Sequence, residues 1–122
     1  MDKRLKAAFY KTPAGNEPVR DWLKGLDKED RKLIGDDILT VELGWPIGMP
    51  VCSPLGDGIF EVRTDISYSR IARTMFCVES GALYLLHGFI KKTQKTPRQD
   101  FDLALTRRNE ILKHISSQKR RK

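Results

Sequence analysis

The sequence predicts a single α+β domain, in which two helices precede a run of strands and a last helix ends the chain. Three observations support this prediction. The length of 122 residues is typical of one domain with one core. Apolar residues recur at helical spacing in residues 18–44 and after residue 96, whereas β-branched and aromatic residues dominate residues 59–91. The expected order of elements is β-α-α-β-β-β-α, with residues 1–122 forming one domain.

The first part of the chain is expected to contain a short edge strand and two helices. Residues 5–10 lean towards apolar side chains and are followed by a turn-forming segment. Pro18 suits the first turn of a helix that ends near residues 25–27. Asp27 can cap a second helix, whose apolar stripe continues to Gly44. Because both helices carry one apolar face, we predict that they form an αα-hairpin.

Strands are expected in the middle of the chain. Prolines and glycines between Pro46 and Gly58 predict an irregular segment that is long enough to be a functional loop. Three strands, separated by short turns, are then predicted at Ile59–Ile66, Arg70–Val78 and Ala82–Lys91, and they indicate an antiparallel meander. Alternation along the strands predicts that one face of the sheet packs on helices while the other face stays polar.

The last helix has a recognisable start. Thr96, Pro97 and Gln99 have the spacing of a capping box, with Thr96 as the N-cap residue. Apolar residues then recur at helical spacing, which predicts a helix that packs on the sheet and ends near Ser116. The basic tail, residues 117–122, is expected to be a frayed, disordered end.

Charge and cysteine usage narrow the class of protein. The chain has 23 Lys and Arg against 16 Asp and Glu, a net charge of +7 that favours nucleic acid first and an acidic protein second as partners. Cys52 and Cys77 lack the spacing of a zinc site or a disulfide framework, and no metal or cofactor motif is present. The N-terminus has no apolar signal segment, and the longest apolar run is too short to span a membrane. We therefore expect a soluble, cytoplasmic protein.

The candidate chemistry depends on basic residues, because the sequence has no catalytic-triad, HExxH or phosphate-loop pattern. Positive charges gather on and after the predicted strands, where they suit a phosphodiester substrate. These candidates are Arg63, Arg70, Arg73, Lys91, Lys92, Lys95 and Arg98.

A ribonuclease can work without a metal ion if the RNA 2′-hydroxyl attacks the adjacent phosphorus. Such an enzyme needs a base near the 2′-oxygen, an acid near the leaving 5′-oxygen and cations around the phosphate. Histidine is the side-chain type best suited to proton transfer near neutral pH, so His87, one of two histidines, is the better acid or base if it faces the same cleft. Two alternatives stay open: His87 can be a core histidine, and Arg63 can simply pair with Glu61 or Asp65.

The segment Leu85–Pro97, with the sequence LLHGFIKKTQKTP, resembles the most distinctive segment of HigB-like toxins, a phage-associated branch of the RelE superfamily. The strand Gly58–Arg63 and the strand around Arg70 are similar to the preceding strands of that family. The likeness covers roughly residues 56–115. It implies a RelE-like fold, in which a twisted antiparallel sheet is flanked by an N-terminal helical hairpin and a C-terminal helix.

The resemblance also implies a function. Members of the family are toxins of type II toxin–antitoxin systems that cleave messenger RNA in the ribosomal A site. The implied partners are the ribosome, messenger RNA and a helix-turn-helix antitoxin, through which alone the toxin reaches operator DNA. The family's basic cleft falls on Arg63, Arg70, Lys91 and Lys92, with Arg73 as a weaker candidate. Lys95 is a further weak candidate, and the resemblance assigns no general acid or base.

Two other functions fit the same sequence. One is a binding module that uses the toxin fold and its basic face to hold nucleic acid or an acidic protein without cutting. The other is a relative that poisons gyrase instead of RNA, because a fold does not determine a function. The enzyme hypothesis predicts that substituting Arg63 or Arg70 abolishes growth arrest and leaves antitoxin binding intact.

Overall fold

The computed structural model describes residues 3–48, 51–91 and 95–120. Within these residues it contains five strands and three helices, which confirms the predicted α+β class. In chain order the elements are β1 (Lys6–Phe9), α1 (Pro18–Lys24), α2 (Lys28–Gly44), β2 (Cys52–Gly56), β3 (Ile59–Ile66), β4 (Arg70–Glu79), β5 (Ala82–Lys91) and α3 (Arg98–Arg120).

The strands form one sheet in the order β1-β5-β4-β3-β2. The predicted antiparallel meander of β3, β4 and β5 is confirmed, and β1 lies at an edge as expected. The prediction of a wholly antiparallel sheet is wrong, because β1 pairs with β5 in parallel and the sheet is therefore mixed. Local strand patterns in the sequence could not predict this pairing, because β1 and β5 are separated along the chain by both early helices and three strands.

The second difference is β2, which lies in the segment that was expected to be irregular. Cys52 pairs opposite Val62 of β3, and the register shifts between Pro54 and Gly56. Pro54 argued against a strand because it cannot donate to a ladder, but an edge strand tolerates proline. The same proline and the register shift make this edge a poor template for pairing with another chain.

One face of the sheet is covered by the two early helices. α1 packs mainly on β5 and α2 mainly on β3. The core between them includes Ile34 and Val41 of α2 together with Phe76 and Leu85 of the sheet, all of them buried. Trp45, just after α2, meets Phe76 edge-on with ring centroids 5.8 Å apart. The helices thus occupy their expected places, while the αα-hairpin arrangement stays a prediction.

The opposite face is covered in part by α3. A second apolar core lies beneath this helix, built from Ile59, Met75, Cys77, Leu86 and Ala104. The expectation that this face stays polar is therefore wrong for the half under α3. Polar side chains occupy the part of this face near the N-terminal end of α3, where Glu61 and Arg73 are completely buried.

The bounds of α3 differ from those expected. It begins at Arg98 and continues to Arg120, beyond the predicted end near Ser116. Thr96 lies before the helix, and its hydroxyl donates to the Glu61 carboxylate, with 2.9 Å between the oxygens. The predicted capping residue thus ties the start of the helix to the sheet. Residues 121–122 of the basic tail lie outside the described residues.

Candidate active site

The strand register brings several of the predicted residues onto the α3 face of the sheet. Residues directly opposite each other on antiparallel strands point to the same face. On this face two neighbouring rows cross β3, β4 and β5: Arg63–Arg73–Phe89 and Glu61–Met75–His87. Arg63 and Arg73 are therefore direct cross-strand neighbours, and His87 lies on the same face in the next row, with β4 between its strand and that of Arg63.

Glu61 is the centre of the first set of contacts. Its side chain is completely buried, which is costly for a carboxylate unless charged or hydrogen-bonding partners surround it. Arg63 Nε donates to Glu61 Oε1 over 2.9 Å, and Thr96 Oγ1 donates to Oε2 over the same distance. The pairing that the sequence left open is therefore present. It orients Arg63, whose side chain still exposes 38% of its surface and can meet a phosphate.

His87 belongs to a second set of contacts. Its Nε2 lies 2.6 Å from Asp100 Oδ1, and the two side chains are 17% and 16% exposed. The imidazole also stacks on Phe89, with ring centroids 5.5 Å apart and an interplanar angle of 23°. Because a carboxylate accepts hydrogen bonds, this geometry favours a proton on Nε2 and leaves Nδ1 as the acceptor of a neutral ring.

Asp100 and Thr96 are functional candidates that the sequence did not single out. Asp100 lies in the first turn of α3, where a negative charge is favoured by the helix dipole. Its spacing of 13 residues from His87 corresponds to no local motif. The contact exists because α3 turns back over β5, and no pattern within either element could have predicted it.

The structure places Arg70 on the other face of the sheet, apart from Arg63. Arg70 Nη2 lies 3.0 Å from Asp30 Oδ2 of α2, and Arg70 Nε donates to the Ser67 carbonyl over 3.0 Å. The backbone N–H and the hydroxyl of Ser67, together with Arg70, hold the pKa of the Asp30 carboxyl below its ordinary value despite burial. Arg70 therefore links the turn between β3 and β4 to α2.

The other predicted cations occupy different environments. Arg73 is completely buried, so its charge acts from beneath the surface rather than by direct contact. Arg98 is 87% exposed and pairs with Asp102 one helical turn away, at 3.2 Å. Lys91 ends β5 opposite Ile71, and Lys95 is exposed just before α3. Lys92 lies outside the described residues.

We use the term charged cluster for the residues that these contacts and rows bring together: Glu61, Arg63, Arg73, His87, Thr96 and Asp100. Two carboxylates balance its two arginines when His87 is neutral. In the sequence, further positive charge is supplied by Lys91 at the end of β5 and by Lys92 and Lys95 after it.

Two features are absent from the described residues, a metal-binding group and a membrane-spanning helix. In residues 3–48, 51–91 and 95–120, no group of three or more His, Cys, Asp or Glu side chains is arranged to hold a metal ion. In the same described part of the chain, every helix is too short or too polar to cross a membrane.

Fold and cluster together define a small basic α+β protein with an arginine and a His–Asp pair on one sheet face. The family model Phage derived protein Gp49-like (DUF891) matches residues 21–109, which is more than half of the chain. The chain therefore belongs to the Gp49-like family, part of the RelE/HigB-like toxin superfamily of type II toxin–antitoxin systems. No curated protein matches the chain. The resemblance is confirmed at this level, while the HigB branch stays a prediction.

Membership has a direct consequence for partners. A toxin of this class implies an antitoxin. The matched residues include the whole charged cluster, from Glu61 to Asp100.

Proposed function

We propose that the chain is the toxin of a type II toxin–antitoxin system and cleaves messenger RNA on the ribosome without a metal ion. The observation that carries this proposal is the placement of His87 and Asp100 on the sheet face that also holds the half-exposed Arg63. A proton acceptor and a phosphate-binding cation are the two groups that attack by a 2′-hydroxyl needs first. The Gp49-like membership of the chain supports the same function.

In the proposed reaction the 2′-oxygen attacks the adjacent phosphorus and the bond to the 5′-oxygen breaks. His87 Nδ1 takes the proton of the 2′-hydroxyl, while Asp100 at Nε2 stabilises the imidazolium that forms. One of the lysines at the end of β5 or after it, Lys91, Lys92 or Lys95, gives a proton to the leaving 5′-oxygen. The products are a 2′,3′-cyclic phosphate and a 5′-hydroxyl, and exchange with water restores both protein groups.

Arg63 is proposed to bind the phosphate that is attacked. The phosphorane-like transition state carries more negative charge than the substrate, so a fixed guanidinium stabilises the transition state more than the ground state. Arg63 Nε donates a hydrogen bond to the Glu61 carboxylate, which fixes the orientation of the guanidinium. Arg73, buried in the same row, adds a positive charge that does not move.

The test is induced expression in a bacterium that lacks the antitoxin, with new 5′ ends mapped in ribosome-bound messages. We expect growth arrest and cuts in the A-site register for the unaltered chain, and neither for His87→Gln or Arg63→Ala. Arg20→Ala is the matched control, because Arg20 is also a partly exposed arginine paired with a glutamate, Glu17, but lies on α1. Arrest with intact messages would contradict the proposal.

A second candidate function is supported by the contacts within the charged cluster. Because Glu61 pairs with Arg63 and Asp100 pairs with His87, the side chains of the cluster are already engaged with one another, and the chain can instead be a toxin-fold module that binds without cutting. The same experiment separates these functions. Arrest with DNA-damage signalling and intact messages would indicate a gyrase-targeting relative, and the absence of arrest would indicate a binding module or an inactive member.

A further inference from the structure

A groove with a volume of about 500 Å³ opens between the chain segment after β1 and the C-terminal half of α3. This volume lies within the range of about 300–1,000 Å³ that is usual for binding pockets. Aromatic and aliphatic side chains form most of its lining: Phe9, Tyr10, Pro13, Tyr84, Ile111 and Ile115. None of the residues of the charged cluster lines it, so the groove is a separate feature of the surface.

The border of the groove is basic. Lys11, Lys113 and His114 line it and are exposed. Glu110 is the acidic residue of the lining, and its carboxylate accepts a hydrogen bond from the Tyr10 hydroxyl. Burial and this carboxylate raise the pKa of Tyr10, so the phenol stays protonated and the contact stays intact near neutral pH. An occupant therefore meets an apolar floor with the exposed ammonium groups of Lys11 and Lys113 at the edges.

We propose that this groove is the docking site for an acidic segment of the antitoxin. Aliphatic side chains of the antitoxin segment fill the space between the aromatic rings of the groove, and carboxylates of the segment pair with Lys11 and Lys113. The choice of occupant follows from charge and shape. A second copy of the chain also carries a net charge of +7 and is repelled. RNA binding depends on basic residues that follow the phosphates, whereas this floor contains proline and isoleucines, which suit apolar side chains.

The position of the groove predicts how inhibition works. Asp100 of the charged cluster and Glu110 of the groove lie ten residues apart on α3, which corresponds to about 15 Å along the helix axis. A segment in the groove therefore leaves the charged cluster uncovered. The antitoxin inhibits by its bulk, which keeps the toxin out of the ribosome, and antitoxin binding and RNA cleavage are separable by mutation.

The test uses Lys11→Glu combined with Lys113→Glu, and Lys119→Glu as the matched control. Lys119 is an exposed lysine of the same helix outside the groove, so the control makes the same change of charge on that helix. The probe is the protein encoded beside this chain that restores growth when both are expressed. Reversing two border charges should weaken the complex about 100-fold, because like charges then face each other, while the control stays within about twofold.

The docking proposal rests on the proposed function only because it requires an antitoxin. The outcomes below distinguish a failure of the docking proposal from a failure of the proposed function. In cells, the double variant should still arrest growth and cut messages but should no longer be neutralised. Unchanged affinity of the folded double variant would overturn the groove as the docking site. Loss of cleavage with unchanged antitoxin binding would assign the groove to RNA or the ribosome and also overturn it. If no neighbouring protein restores growth, the docking proposal fails, while the mapped 5′ ends still decide the proposed function.

A second variant guards against unfolding as an explanation. Ile115→Ala removes apolar surface from the groove and leaves every charge in place. We expect about a tenfold weaker complex with an unchanged melting temperature. An unchanged affinity for this variant would show that the apolar floor does not contribute to binding. The proposal that aliphatic side chains of the antitoxin fill the groove would then be wrong.

Discussion

Arg63 and Arg70 form similar contacts on opposite faces of one sheet. Arg63 Nε lies 2.9 Å from Glu61, and Arg70 Nη2 lies 3.0 Å from Asp30. Both carboxylates are buried, and the two arginines are 38% and 31% exposed. What surrounds each pair is different. The first lies on the face that holds His87, whereas the second joins a turn to α2.

Two ion pairs of similar geometry can therefore differ in role, because the residues around each pair differ. In the proposed function, Arg63 is oriented on the sheet face that also holds His87, where its guanidinium binds a substrate phosphate. Arg70 is held by Asp30 and by the Ser67 carbonyl, so its nitrogen atoms are used within the fold. The two arginines were equivalent candidates in the sequence, and substitution of each should now have a different result.

The largest expected effect follows from His87→Gln, which keeps a polar side chain but cannot take up the proton. We expect the rate of RNA cleavage to fall by about 10²–10⁴-fold, the usual contribution of a general base. Single-turnover cleavage on programmed ribosomes measures this rate. Circular dichroism should show an unchanged fold, and cleavage at the normal rate would remove His87 from the mechanism.

The next effect concerns Arg63. We expect Arg63→Ala to lower cleavage about 10²-fold, because the transition state loses one charged donor. Leaving Glu61 buried without this partner also threatens the fold, so Arg63→Ala with Glu61→Gln is the companion variant. If the double variant is folded and cleaves normally, Arg63 has only a structural role.

Arg70→Ala should act on stability instead. Removing this arginine takes away one partner of Asp30 and frees the turn at Ser67, so the melting temperature should fall by a few degrees. Cleavage per folded molecule should stay within about twofold of the unaltered chain, in contrast to Arg63→Ala. Thermal unfolding and cleavage rates together decide the matter. A folded Arg70→Ala protein without activity would restore Arg70 to the active site.

The smallest effect is a pH dependence of stability. The folded-state pKa of Asp30 lies below the ordinary aspartate value of 3.8, so the ionised form contributes stability above that value. This contribution is lost as the pH falls below 3.8 and through the folded-state pKa. Urea unfolding between pH 2 and pH 6 should therefore show a weaker acid dependence for Asp30→Asn than for the unaltered chain. Identical slopes would mean that Asp30 is not the carboxylate responsible.

Local patterns predicted much of the fold and a part of the site. Periodicity placed the two early helices and the three strands of the meander within a few residues of where they lie. The basic strands and the single histidine of β5 directed attention to Arg63 and His87, which do share one sheet face. Such predictions succeed because side-chain alternation and helical spacing are properties of neighbouring residues.

The sequence by itself determined which side of each element is apolar, where the charge lies and to which superfamily the chain is similar. Tertiary structure alone decided that β1 runs parallel to β5, that Arg70 meets Asp30 and that Asp100 meets His87. Each of these contacts joins residues that are distant along the chain or belong to different elements. They form only when packing brings those elements together, and the residue spacing within one element cannot predict which other element it will contact.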